Sequence, residues 1–212
     1  MARPVPQSAL RFPLSSIFGT ETNVRLLREL ARHGGQLTPS NLATRTKLAL
    51  PSVVAALSSL VDTNVVAEVG TGRARLYNLK EAAPLFAPIQ ALFEAEEVRF
   101  AGIIDAVRDC AESFGDALVA SWVFGSVARG EDQASSDFDI AFVATRDDDV
   151  SSIQNRGIDA LSTSAEKLIF SPSINTFSVT DLKRLRDSGA PLWKAFLNEA
   201  LVITGPRPEF IF

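Results

Sequence analysis

Residues Val123–Val143 read VFGSVARGEDQASSDFDIAFV. An apolar run ends at Phe124, Gly125-Ser126 follows, and Asp137-Phe138-Asp139 opens a second apolar run. The first run, Ala117–Phe124 (ALVASWVF), predicts a buried strand because it is short and rich in apolar, β-favouring side chains. The second, DIAFV, predicts another. Between them Gly125 permits a sharp turn where backbone N–H groups approach an anion, Ser126 adds a hydroxyl, and VAR opens a helical turn. Taken alone, Gly-Ser also reads as a plain glycine turn with a serine cap. In a strand, residues two apart share a face, so Asp137 and Asp139 converge while Phe138 faces the other way. Carboxylates that close repel unless a cation lies between them, and Mg²⁺ (or Mn²⁺) suits a few carboxylates with waters and phosphate oxygens. The plainer reading of the acid pair is an exposed strand end where carboxylates cap and solubilise.

Toward the N-terminus the pattern changes period. NVRLLRELARHGG, from Asn23, has apolar residues at Val24, Leu27 and Leu30-Ala31, which is helical spacing ended by Gly34-Gly35. TPSNLATRTK predicts a short second helix. LALPSVVAALSSLVDTNVV predicts a third, with Pro51 early and Val54, Leu57, Leu60 and Val61 on one face. VVAEVGTGRARLYNL then alternates around Gly70-Thr71-Gly72 as two strands and a tight turn. Residues 1–14 hold three prolines and predict an arm, and 81–116 predict a linker and a long connecting helix.

Three short helices followed by a hairpin resemble a winged helix-turn-helix, over about Phe18 to Leu79, within a domain of residues 15–80. That resemblance makes Leu50–Val61 the recognition helix and Gly70–Arg75 the wing tip. It implies DNA as partner, with Arg45, Lys47, Arg73 and Arg75 placed for phosphates and Ser52 on the recognition helix. Winged helices also serve as protein-contact modules, and they frequently dimerise, so a homodimer is an expectation.

The site segment, G-S-x-x-x-G with Arg129 before Gly130 and then S-D-x-D before an apolar strand, resembles the polymerase-β-type nucleotidyltransferase superfamily, and within it the minimal nucleotidyltransferases. The motif spans about twenty residues, and the resemblance runs from about Ala117 to Ile203 within a domain of residues 117–212. It implies a mixed sheet flanked by helices, a nucleoside triphosphate held at Gly125 and Ser126, and divalent metal on Asp137 and Asp139, which are also the catalytic acids. Arg129 either neutralises phosphate or braces the loop by ion pairing. The implied reaction moves a nucleoside monophosphate to a hydroxyl of a protein, a HEPN-type toxin, or of a small molecule, in an antitoxin or autoregulator. The family's two-metal chemistry uses a third carboxylate on a later strand. The strand expected there, Ser173–Val179 (SINTFSV), has Asn175 near that position and no acid. Asp181 is expected as part of a helix cap, Glu166 in a helix, and Asp147–Asp149 in a solvated loop. The rival reading is therefore a transcriptional regulator whose catalytically impaired domain senses a ligand or binds a protein.

Composition sets the remaining bounds. The predicted elements and the resemblances make the chain α+β, and hydrophobic residues at 46% with charged residues at 22% describe a globular protein with ample core, long enough at 212 residues for two domains. One Cys and one His leave neither a disulfide framework nor a structural zinc site. No apolar run reaches the roughly 20 residues that span a bilayer, and the N-terminus lacks a signal-peptide pattern, so no membrane is expected and the cytoplasm is the default compartment. Residues 1–90 carry ten Lys/Arg against five Asp/Glu, whereas residues 91–212 carry eleven against twenty. A basic half beside an acidic half points to different partners for each.

Overall fold

The computed structural model describes residues 8, 10–71 and 75–212. Most of the arm expected over 1–14, and Gly72, Arg73 and Ala74 of the wing tip, lie outside them. The chain forms an α+β fold of two compact units that divide between Glu97 and Val98.

In the N-terminal unit a four-residue turn of helix, α1 (Leu14–Ile17), precedes α2 (Glu21–His33), α3 (Pro39–Thr46) and α4 (Leu50–Asp62). A hairpin of β1 (Val66–Val69) and β2 (Leu76–Leu79) follows, antiparallel from Val66 opposite Leu79 to Val69 opposite Leu76. Tyr77 also bridges to Leu37, which adds a third short strand segment and completes a winged helix-turn-helix arrangement. Local chemistry sets the helix ends. The Thr20 hydroxyl accepts the Asn23 N–H at 3.1 Å, and the Thr38 hydroxyl accepts the Asn41 N–H at 3.1 Å. Gly34 ends α2 in the left-handed region at φ 66°.

The core faces differ from the sequence expectation by a rotation. Leu26 joins Leu27 and Leu30 in the core from α2, and α4 buries Val53, Ala56, Leu57 and Leu60 while Val54 is 51% exposed. The set 53, 56, 57, 60 follows the i, i+3, i+4, i+7 rule, and the turn before α4 decides which of two apolar stripes points inward. Each such Leu contributes about 1.5–3 kcal/mol by leaving water.

Helix α5 (Phe86–Glu112) occupies most of the segment expected as linker and connecting helix, with Pro88 inside its first turn, where no intrahelical N–H bond is lost. Ile89 and Phe93 pack into the N-terminal core, and Arg28 grips Glu96 through Nε and Nη2. Residues 81–97 therefore belong with the winged helix. Leu92 and Val98, apolar by sequence, are 55% and 65% exposed.

The C-terminal unit runs β3 (Leu118–Phe124), α6 (Gly125–Arg129), β4 (Phe138–Ala144), α7 (Val150–Leu168), β5 (Pro172–Ser178), α8 (Val179–Asp187), α9 (Pro191–Glu199) and β6 (Leu201–Thr204). The sheet order is β5-β4-β3-β6, with β4 and β5 parallel and the other pairs antiparallel. Helix α7 makes the crossover that parallel neighbours require. Strand alternation sends Phe138, Ile140 and Phe142 to one face, packed with Ile103, Val107 and Ile153, and Ala141 and Val143 to the other, packed with Leu182, Trp193 and Phe196. Phe196 is fully buried, and its ring meets Trp122, Phe124 and Phe177 at 5.5, 5.0 and 5.7 Å. Trp193 joins this core, whereas Leu197 is 43% exposed. Helix α8 is capped by Ser178 together with Asp181: the Ser178 hydroxyl accepts the Asp181 N–H, and the Asp181 carboxylate accepts from the Ser178 backbone.

Candidate functional site

β3 delivers its last residue, Phe124, directly opposite Asp139 of β4. The chain then turns at Gly125, whose φ of 74° lies in the left-handed region. A Cβ placed there would stand 2.4 Å from Asp139 Oδ2 and 3.3 Å from its Cγ. Glycine is therefore required twice, by conformation and by space. This close approach joins two of the residues singled out in the sequence, across 14 positions of chain. α6 starts here with no side-chain cap on its first N–H groups. Ser126 lies half-buried in it, and the Glu131 N–H bonds to the Ser126 carbonyl at 2.9 Å, closing the turn after α6.

Asp137 is exposed and sits one residue before β4, which begins at Phe138 and not at Asp137. The reason is local. A turn closed by the Ser136 N–H to Gln133 carbonyl bond at 2.8 Å occupies the approach, and ladder pairing starts only where the Phe138 N–H meets the Ser171 carbonyl at 2.7 Å. Asp139 is half-buried and, by alternation, on the face of Ala141 and Val143.

The parallel pairing with β5 locates the neighbours of Asp139 on that face. Its register partner is Ser173, and Asn175 is the partner of Ala141. Both are neutral, and the Asn175 side chain donates to the Ser173 carbonyl at 3.4 Å. The other acids are engaged elsewhere. Asp181 holds the α8 cap, and Asp149 pairs with Arg146 at 2.9 Å, which keeps its carboxyl below the usual range. The hydroxyls of Ser178 and then Thr180 depress Asp147 in the same direction. Glu166 is exposed on α7. Among the described residues no three His, Cys, Asp or Glu side chains gather closely enough to hold a metal ion by themselves. Of the two acids singled out in the sequence, Asp139 is the one that lies against the Gly125 turn.

Arg129 had two roles open to it, and its guanidinium is found between two carboxylates, Glu131 at 2.8 Å and Glu199 at 2.6 Å. Those hydrogen bonds, Glu131 first, raise its pKa. It ties the end of α6 to α9. Glu199 was missed in the sequence because it lies 70 residues from Arg129, beyond any local periodicity.

The N-terminal candidates are arranged differently. Lys47 is exposed in the left-handed C-cap of α3 at φ 55°. Arg45 is paired with Glu29, and Arg75 with Glu68 at 3.3 Å. Ser52 is exposed on α4, whose sequence, LPSVVAALSSLVD, contains no cation. Arg73 lies outside the described residues.

No family model matches the sequence, and no curated protein matches it. Among solved structures, the crystal structure of the AntR antimony-specific transcriptional repressor is similar at 25% identity, covering 45% of this chain and 90% of that one, with a TM-score of 0.34. A superposition of that quality leaves the reading of this molecule on the elements described above. No helix among the described residues is long and apolar enough to cross a membrane.

Proposed function

We propose that the C-terminal unit binds a nucleoside triphosphate with Mg²⁺ at Gly125, Ser126, Asp137 and Asp139, that the N-terminal unit meets DNA, and that the protein is a nucleotide-responsive regulator. The observation that carries this reading is the contact of the Gly125 backbone with the Asp139 carboxylate. A cradle that even one Cβ would fill brings backbone N–H donors, which favour phosphate, beside an acid, which favours a cation. Bound Mg²⁺ would supply the positive charge that lets an acidic unit accept a triphosphate. The chain's own contribution is placement. Pairing of Phe124 with Asp139 fixes the acid against the turn, and Arg129 holds the far end of α6 through Glu131 and Glu199. The resemblance to the minimal nucleotidyltransferases supports the same assignment. Ser173 and Asn175 beside Asp139 favour binding over turnover, because neither can take a proton from an attacking hydroxyl as a carboxylate can.

Nucleotidyl transfer to a hydroxyl of a HEPN-type toxin or a small molecule is the second reading, favoured by the presence of both the Gly-Ser turn and the acid pair. Incubation with labelled ATP, Mg²⁺ and candidate acceptors, the product of the adjacent gene among them, separates the two. The regulator reading expects metal-dependent nucleotide binding that is lost in Asp139→Ala, with no label transferred. Transfer that vanishes in Asp137→Ala would establish the enzyme. Failure of all four triphosphates to bind would sink both.

A further inference from the structure

A cavity of about 710 Å³ opens beside the loop that precedes β4. It lies within the roughly 300–1,000 Å³ range of small-molecule sites. Its floor is apolar: Ile103 and Phe138 are 3% and 4% exposed, and Val127 and Phe170 complete it. The Phe138 and Phe170 rings meet edge-to-face at 5.6 Å and 72°, so one aromatic edge and one face are fixed in the wall. This is not the nucleotide cradle. Phe138 and Asp139 are consecutive in a strand and point to opposite sides of the sheet.

The polar groups are unevenly distributed. Asp132 and Glu166 bring two carboxylates to the lining, against the single guanidinium of Arg99. That guanidinium already donates to the Ile169 carbonyl, so it serves the wall of the cavity. Ile169 itself is unusual. It ends α7 at φ 55° and ψ 68°, a conformation that a β-branched side chain adopts at a cost, and its side chain is 79% exposed at the cavity edge. Phe100, at 45% exposure, is a second apolar group there. Neither strain nor exposure helps the isolated fold, whereas a ligand that covered both side chains would gain from them.

We infer that this cavity is a second ligand site that takes an amphipathic organic cation, with a flat apolar body against Phe138, Phe170 and Ile103 and an amine toward Asp132 and Glu166. An amine beside two carboxylates and near aromatic faces is favoured by both charge and ring quadrupole. A carboxylate in its place would meet two like charges against the one guanidinium of Arg99. The site stands whether or not a nucleotide binds at Gly125.

The test uses one apolar body with three head groups on the full-length protein: phenylbutylamine, phenylbutanol and phenylbutyrate, followed by calorimetry and amide chemical shifts. The amine is expected to bind and to shift the amides of Gln133, Ala134, Ile169 and Phe170. The alcohol and the carboxylate are expected to bind roughly threefold to tenfold more weakly, the range that two solvent-exposed ion pairs support. The double variant Asp132→Asn with Glu166→Gln, both at exposed positions, should erase the preference for the amine while leaving the alcohol unchanged. Ala134→Trp, at an exposed position of the lining, should block all three compounds. Equal affinity for amine and alcohol, tighter binding of the carboxylate, or shifts confined to residues away from the cavity would each overturn the assignment.

Discussion

The exposed face of α4 and the turn at Gly125 are two surfaces proposed to meet phosphates, and they are built by opposite means. α4 presents Ser52, Val54, Ala55, Ser58 and Ser59 to solvent, a neutral and mostly small surface. Among the described residues, the cations at the end of α3 and beside the hairpin are Lys47, which is exposed, and Arg45 and Arg75, which hold carboxylates that a phosphate would have to displace. The turn at Gly125 offers little surface. It offers position: a left-handed backbone with a carboxylate pressed against it, set by strand pairing on one side and a buried aromatic cluster on the other. Affinity at the first place would come from shape and a few exposed charges. At the second it would come from groups held before the ligand arrives, which is the less costly way to bind a small, highly charged molecule.

The contrast can be broken most severely through the packing behind the turn. Phe196→Ala removes a fully buried ring that touches Trp122, Phe124 and Phe177 and is expected to cost about 3–5 kcal/mol in denaturant unfolding of the C-terminal unit. A cost below about 1 kcal/mol would mean that the site is not supported by this core. Gly125→Ala attacks the cradle itself. The left-handed backbone costs about 1–2 kcal/mol with an alanine, and the new methyl group must push Asp139 away. Mg²⁺–ATP affinity should fall at least about tenfold, equivalent to ~1.4 kcal/mol. Unchanged affinity in a folded Gly125→Ala protein would move the nucleotide elsewhere.

The smallest expected effect is on the other side of the comparison. Lys47→Ala or Arg75→Ala should weaken DNA binding modestly and lower the slope of log affinity against log salt by roughly 0.9 for each phosphate left without its cation. The Arg75 effect should be the smaller, because its guanidinium already pairs with Glu68 and must give up that carboxylate to reach a phosphate. An affinity indifferent to salt between about 50 and 200 mM would exclude phosphate binding and leave the winged helix as a protein-binding module.

Much of this organisation was legible because it is written in short-range chemistry. Gly34-Gly35 ends a helix, Thr38-Pro39 starts one, and alternation around Gly70 makes a hairpin, each within a few residues of its cause. The closeness of the glycine turn to Asp139 was expected through the family resemblance, and its cause is tertiary: antiparallel pairing of β3 with β4 sets the end of one strand beside the start of the other. The stripe that α4 buries was not legible, since Val53 and Val54 are chemically alike and only the angle of entry set by the preceding turn separates them.

The sequence by itself determined the element order, the α+β class, the turn at Gly125 and the acids that follow it, because propensity, capping and periodicity act over one or two turns of chain. Tertiary structure alone decided that Arg129 is held by Glu199, that Ser173 is the register partner of Asp139, and that α5, α7 and the loop before β4 line a cavity beside Phe138. Those outcomes join residues far apart in the chain. Their partners are chosen by which faces the sheet brings together, a quantity that no local pattern of side chains encodes.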